Sequence, residues 1–332
     1  MKPIKDLIRR LVRSAAGLPP AEDLLRLTNP AGHPNVNALW RETKDLDALK
    51  LNVKMLSYEL AHSMEHRLQT IPADGPRTVG LESKATTQAD IETRWFRNWC
   101  EQLRERPRYH RSLWQYAYVL QALHEGGVLK PGSRLLGLEA AGQPLPCYLA
   151  RLGLSTVTTG EEAPRLIEDL IDRAGFLRLV DHRPQGRGEG DAFDACWSIG
   201  GASRQGSLAK GAAFVEASVQ SLRPGGVAVH ILEFNYADDA QTIDDWSLVL
   251  FQRRHIQALA DSLKAAGHEV APLNFHVGHQ PLDRYVDVPP FETGRTQAFD
   301  RLWRDGWESA HLKVSIDGFA CTSFGLIVRR GP

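Results

Sequence analysis

Residues 193–235 read FDACWSIGGASRQGSLAKGAAFVEASVQSLRPGGVAVHILEFN, and few folds accommodate that succession of patterns. An apolar run follows Asp194 through Trp197. Apolar residues then recur at helical spacing (Ala212, Val215, Val219, Leu222), and Pro224-Gly225-Gly226 leads into Val227, Val229 and Ile231. Pro224 sets φ for the first corner of a turn and the two glycines tolerate the positive φ that follows, so the helix is expected to stop there and a buried strand to begin. A strand, helix and strand in this order places two parallel strands side by side.

The same alternation extends to both sides of this unit. Strands are expected at 135–138, 155–159 and 176–180, with helices at 146–152 and 164–174 between them and a loop at 186–190. Downstream, Ile256, Leu259 and Leu263 mark a helix over 255–266 that Gly267 closes. Strands at 270–275 and 322–329 complete the pattern. Such a sequence builds an α/β fold with a doubly wound sheet, whose ligands bind beyond the carboxyl ends of the strands.

Ahead of the sheet the chain reads as helical. Residues 2–13 set Ile4, Leu7, Ile8, Leu11 and Val12 among lysines and arginines, a short basic amphipathic segment suited to docking on protein or, as the minor alternative, to peripheral membrane contact. Prolines and glycines between 17 and 34 make a linker. Over 39–68, Leu46, Leu49, Val53, Leu56 and Leu60 alternate three and four residues apart, the spacing of a coiled-coil seam that ends where Ser63 and Arg67 take the next seam positions. Homo- or hetero-oligomerisation through 39–68 and packing on the chain's own body are both consistent with it. His62 and His66 lie one helical turn apart but lack the HExxH order and a third ligand, so no metal is expected. The domain division implied is a helical region at 1–71, a linker at 72–85, a helical cap at 86–130 and the sheet domain at 131–332. In the cap, Thr87 or Asp90 starts a helix carrying Ile91, Trp95, Phe96, Trp99 and Leu103, and a second helix spans 109–123.

Composition narrows the partners. Lys+Arg and Asp+Glu balance at 40 each in 332 residues, which argues against a nucleic-acid partner, and 42% hydrophobic residues suffice for a full α/β core. Cys100, Cys147, Cys196 and Cys321 are widely spaced with no CxxC, the usage of buried thiols in a reducing compartment. No apolar run approaches the roughly 20 residues that span a bilayer, and no signal-peptide pattern opens the chain, so a cytoplasmic location is expected.

The turn after the first strand reads Leu136-Gly137-Leu138-Glu139-Ala140-Ala141-Gly142-Gln143-Pro144-Leu145-Pro146. From about residue 87 to 330 the chain resembles a bacterial group of class I S-adenosylmethionine (SAM)-dependent methyltransferases, whose turn runs GxGxGxEPLP; HRSLWQYAYVLQAL, LNFHVGHQPLDRYVDVPP and HLKVSIDGFACTSFGLIVRR carry the same likeness. The resemblance implies a Rossmann-like methyltransferase sheet with an N-terminal helical extension and SAM as cofactor. It places Gly137, Glu139, Ala141 and Gly142 at the cofactor turn, Glu161 near the ribose and Ser198 at the end of the fourth strand. Glu139 and Ala141 stand where the group has glycines, and the carboxylate of Glu139 is expected either to oppose that of SAM or, in a shifted register, to take the acidic role itself. After the fourth strand the group carries Ser-Cys-Ala-Leu-Glu-His, against Ile199-Gly200-Gly201-Ala202-Ser203-Arg204 here. Glu233 and Asn235 at the end of the fifth strand, and His110, are then the candidates for contacting or deprotonating an acceptor. Two functions follow: methyl transfer to a small molecule or cell-surface glycan precursor, and a non-catalytic methyltransferase-like subunit that oligomerises and supports a partner enzyme or surface-polysaccharide complex. A nicotinamide dehydrogenase is the weaker fit, because no GxGxxG follows the first strand.

Overall fold

The computed structural model describes residues 45–140, 143–159, 181–183, 193–237, 239–289 and 312–332. The expected segments at 2–13, 17–34, 164–174, 176–180 and 186–190, and the candidates Ala141, Gly142 and Glu161, lie outside these. The chain divides into two compact units, Met1–Leu56 and Ser57–Pro332.

Helices α1 (Leu46–Thr70), α2 (Gln88–Ile91), α3 (Arg94–Gln102) and α4 (Arg111–Glu125) precede the parallel strands, and α5 (Leu145–Arg151), α6 (Leu208–Val219), α7 (Arg253–Ala265) and α8 (Pro281–Arg284) alternate with or follow them. Strands β1 (Ser83–Ala85), β2 (Arg134–Leu138), β3 (Ser155–Thr159), β4 (Asp181–Arg183), β5 (Phe193–Ile199) and β6 (Leu222–Asn235) come next in chain order with β7 (Glu269–Val270), β8 (Leu273–Asn274), β9 (Val286–Asp287), β10 (Lys313–Ile316) and β11 (Phe319–Arg329). The described strands form one sheet whose main path runs β4-β3-β2-β5-β6-β11-β1-β8. Strands β2 to β6 are mutually parallel, and β11 pairs antiparallel with β6 from Cys321 opposite Asn235 to Arg329 opposite Val227. From β2 the chain winds outward through β3 and β4, then returns to β5 and winds the other way. That reversal makes a doubly wound, Rossmann-like sheet and puts a topological switch point between β2 and β5.

Period-two alternation sends neighbouring residues of each strand into different cores. Leu135, Ala195, Trp197, Val229 and Ile231 meet the face covered by α3, α4 and α5, with Phe96, Trp99, Trp114 and Leu149 among the buried contacts. Leu136, Leu138, Cys196 and Ala228 meet the face covered by α6 and α7 through Val215, Val219, Ile256 and Leu263. Buried indoles are stable only when their N–H finds an acceptor, and here Trp99 donates to Gln121 (2.7 Å) and Trp114 to Asp90 (3.2 Å). The aromatic stripe of α3 is therefore core. All four cysteines are free and buried, and burial pushes the Cys147 thiol up to about 11, away from nucleophilic use.

Several boundaries differ from expectation for identifiable reasons. Helix α6 ends at Val219, and Leu222 opens β6, paired with Phe193; Pro224-Gly225-Gly226 then sit within β6 at a register irregularity between Phe193 and Ala195. A Cβ on Gly226 would lie 2.9 Å from the Arg223 carbonyl oxygen, so the bulge needs glycine there. The expected strand at 270–275 splits around Pro272 because its first half pairs with β11 and its second with β1. The end of the expected linker at 72–85 is strand β1, joined to β11, and Glu125 fastens the stretch before it by accepting from the Val79 and Leu81 N–H groups, both at 2.9 Å. Asp317 and Gly318, at φ 47° and 87°, make the two-residue turn that adds β10 to β11.

Candidate functional site

The carboxyl ends of β2, β3, β5 and β6 bring together Glu139, Thr159, the 199–204 loop and residues 233–236. At the switch point, Gly137 stands beside Trp197, and a Cβ on it would meet the Trp197 ring at 2.6 Å and the Ala140 Cβ at 2.7 Å. The glycine is required because the indole lies flat against the strand end. Trp197 is held there by donating to Gln143 Oε1 at 3.1 Å.

Glu139 follows with φ 57°, a left-handed conformation rare for a side chain of this size, stabilised as its N–H donates to Thr159 Oγ1 (3.1 Å) and the Ala140 N–H to the Thr159 carbonyl (3.0 Å). The side chain is exposed at the carboxyl end of β2, where Arg204 Nε lies 4.0 Å from its Oε2. Arg204 reaches across Gly200, whose φ of 70° and missing Cβ leave room for the guanidinium, and donates to the Ile199 carbonyl at 3.2 Å. Both side chains are more than two-fifths exposed, so water screens the pair and it contributes well under about 1 kcal/mol. Such a bridge opens readily. The expected repulsion from Glu139 is thus offset by a cation that the loop sequence did not advertise.

A second polar group joins the sheet to the cap. Glu233, at the end of β6 and largely buried, accepts from Arg111 Nη1 at 2.7 Å; Arg111 is the first residue of α4, so the ion pair pins the helix start over the strand end. Ser203 Oγ accepts from the Glu233 N–H at 3.0 Å and ties the loop after β5 to the same point. Asn235 is buried and occupied: its amide donates to the Gln241 carbonyl (3.1 Å) and its carbonyl accepts from the Ala237 N–H (3.3 Å). His110 is the N-cap of α4, with Nδ1 accepting from the Ser112 N–H at 3.1 Å.

Ser198 faces the other way from Trp197. Its hydroxyl is fully buried and bonds His230 Nδ1 at 2.8 Å, while Ser218 Oγ bonds His230 Nε2 at 2.8 Å. Ser218 spends its own proton on the Val215 carbonyl (2.6 Å), so it accepts from Nε2–H and leaves Nδ1 to accept from Ser198. His230 is a neutral, satisfied core histidine, and the Ser198 side chain belongs to that core network.

Beyond the crevice, Lys313 is fully buried and donates to the Thr86 carbonyl and, at 3.4 Å, to Thr322 Oγ1, with Asp283 Oδ1 at 3.8 Å. Burial pushes its ammonium down to about 8 against the attraction of Asp283. It ties β10 to the α2 entry and α8, and its ammonium lies 5.9 Å from the centroid of the Tyr236 ring. A cavity of about 560 Å³ is lined by Asp74, Arg77, Lys84, Asp90, Arg94 and Trp95, but Asp74 already holds both arginines and Asp90 holds the lysine. No residue of the carboxyl edge lines it. His66 Nδ1 lies 2.6 Å from the Ser63 carbonyl oxygen of its own helix and His62 Nδ1 lies 3.8 Å from Glu65 Oε2, and no group of three metal-ligating side chains occurs among the described residues.

The crevice residues fit the amino-acid end of an adenosyl ligand. That end carries a carboxylate and an ammonium, and Arg204 and Glu139 offer one partner for each at the switch point where such ligands bind. Thr159 ends β3 with its hydroxyl oxygen accepting from the Glu139 N–H, and no carboxylate stands at the described end of that strand.

No protein-family model matches the chain, and no curated protein matches it either. Among solved structures it is similar to a candidate sarcosine dimethylglycine methyltransferase from Galdieria sulphuraria (16% identity over 74% of this chain and 92% of that one, TM-score 0.43). A SAM-dependent methyltransferase from Geobacter sulfurreducens in complex with S-adenosyl-L-homocysteine is similar at 16% identity over 64% and 90% of the two chains (TM-score 0.36). The [4+2]-cyclase SpnF is similar at 16% identity over 83% and 97% (TM-score 0.42). Among the described residues, no helix is long and apolar enough to cross a membrane.

Proposed function

We propose that this chain is a SAM-dependent methyltransferase acting on a small molecule or a glycan precursor, with the cofactor at the switch point and the acceptor between the sheet edge and the start of α4. The observation that carries this reading is the Glu139–Arg204 pair, an opposed set of charges at the one place where a doubly wound sheet receives a nucleoside-type ligand. Gly137 and Trp197 would support the turn, Glu139 and Arg204 would hold the ligand's amino-acid end, and Ala141, Gly142 and Glu161 remain candidates for its other contacts. SAM, when bound, supplies an electrophilic methyl group. The protein's own part is positioning: Arg111 fixes the Glu233 carboxylate at the end of β6, where it can accept a hydrogen bond from a hydroxyl or amine acceptor and orient it. Asn235 and His110 shape this edge by bonding backbone rather than by offering a free base.

One observation favours the alternative, a non-catalytic subunit. Glu233, Asn235, His110 and His230 all have protein partners in the folded chain, which leaves the edge poor in acid–base groups. Titration calorimetry separates the two. Micromolar binding of both SAM and S-adenosylhomocysteine to the full chain supports the enzyme, and absence of heat at millimolar ligand overturns it in favour of the subunit.

A further inference from the structure

Helix α1 carries two apolar stripes. Ala61, Met64 and Leu68 belong to the core that α3 and α4 share, so that stripe is used by the chain itself. Leu46, Leu49, Leu56 and Leu60 lie on an adjacent face and are 48%, 59%, 65% and 40% exposed. Four large aliphatic side chains exposed along one helix form an apolar stripe that association would remove from water. Their spacing, with Val53 between them, is that of heptad positions a and d: Leu46, Val53 and Leu60 at a, Leu49 and Leu56 at d.

We infer that this stripe is a docking surface for a second copy of the chain, and that the two α1 helices pair in parallel and in register. The charges beside the seam choose the partner and its direction. In a parallel pair Asp45 (position g) of one copy faces Lys50 (position e) of the other, twice by symmetry, and all four side chains start exposed. An antiparallel pair that overlays Leu46 on Leu60 instead brings Asp45 towards Glu59, also twice, and like charges oppose it. Leucine at both d positions with valine at the central a position suits a two-stranded parallel coil. Ser63 and Arg67 end the seam where the helix turns to the chain's own core, so the contact is short and its affinity depends on few side chains.

The test uses the full-length chain and is independent of any ligand. Sedimentation across a concentration series is expected to show a species of twice the 37.0 kDa chain mass. Leu49→Asp with Leu56→Asp, both at exposed positions, should weaken association at least about a hundredfold while leaving the thermal transition in place. Leu56→Cys should form an oxidative cross-linked dimer, because parallel register sets each copy's residue 56 opposite the other's, and the four native cysteines are buried. A monomer at every concentration overturns the inference, as does a dimer that survives the double substitution. A dimer in which Leu56→Cys does not cross-link overturns the parallel arrangement.

Discussion

Tyr118 and Gly325 should be energetically inseparable. Tyr118 lies on α4, fully buried, stacked on Trp114 with ring centroids 4.6 Å apart, and its single hydroxyl proton points between the Glu82 carbonyl (2.7 Å), the nearer acceptor, and the Gly325 carbonyl (3.1 Å). The phenol ring lies directly against Gly325 in β11: an added Cβ would be 2.7 Å from Cδ1 and still closer to Cε1 and Cζ. Gly325→Ala therefore forces either overpacking, at about 1–3 kcal/mol, or displacement of a ring anchored by a shared hydroxyl hydrogen bond worth about 1 kcal/mol. The expected loss is about 1–3 kcal/mol, read from urea unfolding followed by tryptophan fluorescence. Because the clash is with one ring, Tyr118→Leu should relieve it, and the double-mutant cycle should show a coupling of at least about 1 kcal/mol. A cost for Gly325→Ala below about 0.5 kcal/mol, or strict additivity with Tyr118→Leu, would refute the argument that this contact seats α4, and with it Arg111, on the sheet.

Replacing His230 by Leu should cost about 1–3 kcal/mol, since the Ser198 proton loses its acceptor inside the core, while affinity for S-adenosylhomocysteine stays within about twofold; a selective loss of ligand affinity would move this network into the site. Lys313 gives a pH signature. Its folded-state value is lowered to about 8 from 10.5, so between those values the unfolded chain holds the extra proton and this group makes stability rise with pH. The window closes near pH 9, above which thiols raised by burial, Cys147 to about 11 and Cys100 to about 12, begin to favour the unfolded state, followed by the tyrosines. Urea unfolding at pH 7, 8 and 9 should show a rise that Lys313→Met removes, and an identical slope in that variant would contradict the assignment.

The sheet was legible because buried parallel strands are continuous apolar runs and the helices between them keep a 3.6-residue period: β3 lies where its sequence pattern puts it, and β2, β5 and α6 differ only at their ends. What escaped the sequence is what depends on partners distant along the chain. Strand β1 is three residues long and exists because β11 and β8 flank it. Leu222 kept helical spacing but pairs with Phe193 as a strand residue. In the site, Glu139 was visible from its place in the turn, whereas Arg204 and Arg111 gave no signal, since an arginine in a loop or at a helix start means nothing until its carboxylate is known. Ser198 and Trp197 show how one position along a strand exchanges one core for the other. A strict alternation count from Gly137 and its paired residue would have put Trp197, rather than Ser198, beside the turn after β2.

The central claim, that Glu139 and Arg204 receive the amino-acid end of an adenosyl ligand, is tested most directly by calorimetry with S-adenosylhomocysteine and 5′-methylthioadenosine, which lacks that end. Arg204→Gln should weaken the first by at least about tenfold, the loss of one charge-assisted hydrogen bond, and leave the second unchanged. Equal losses for both ligands, or none for either, would contradict it.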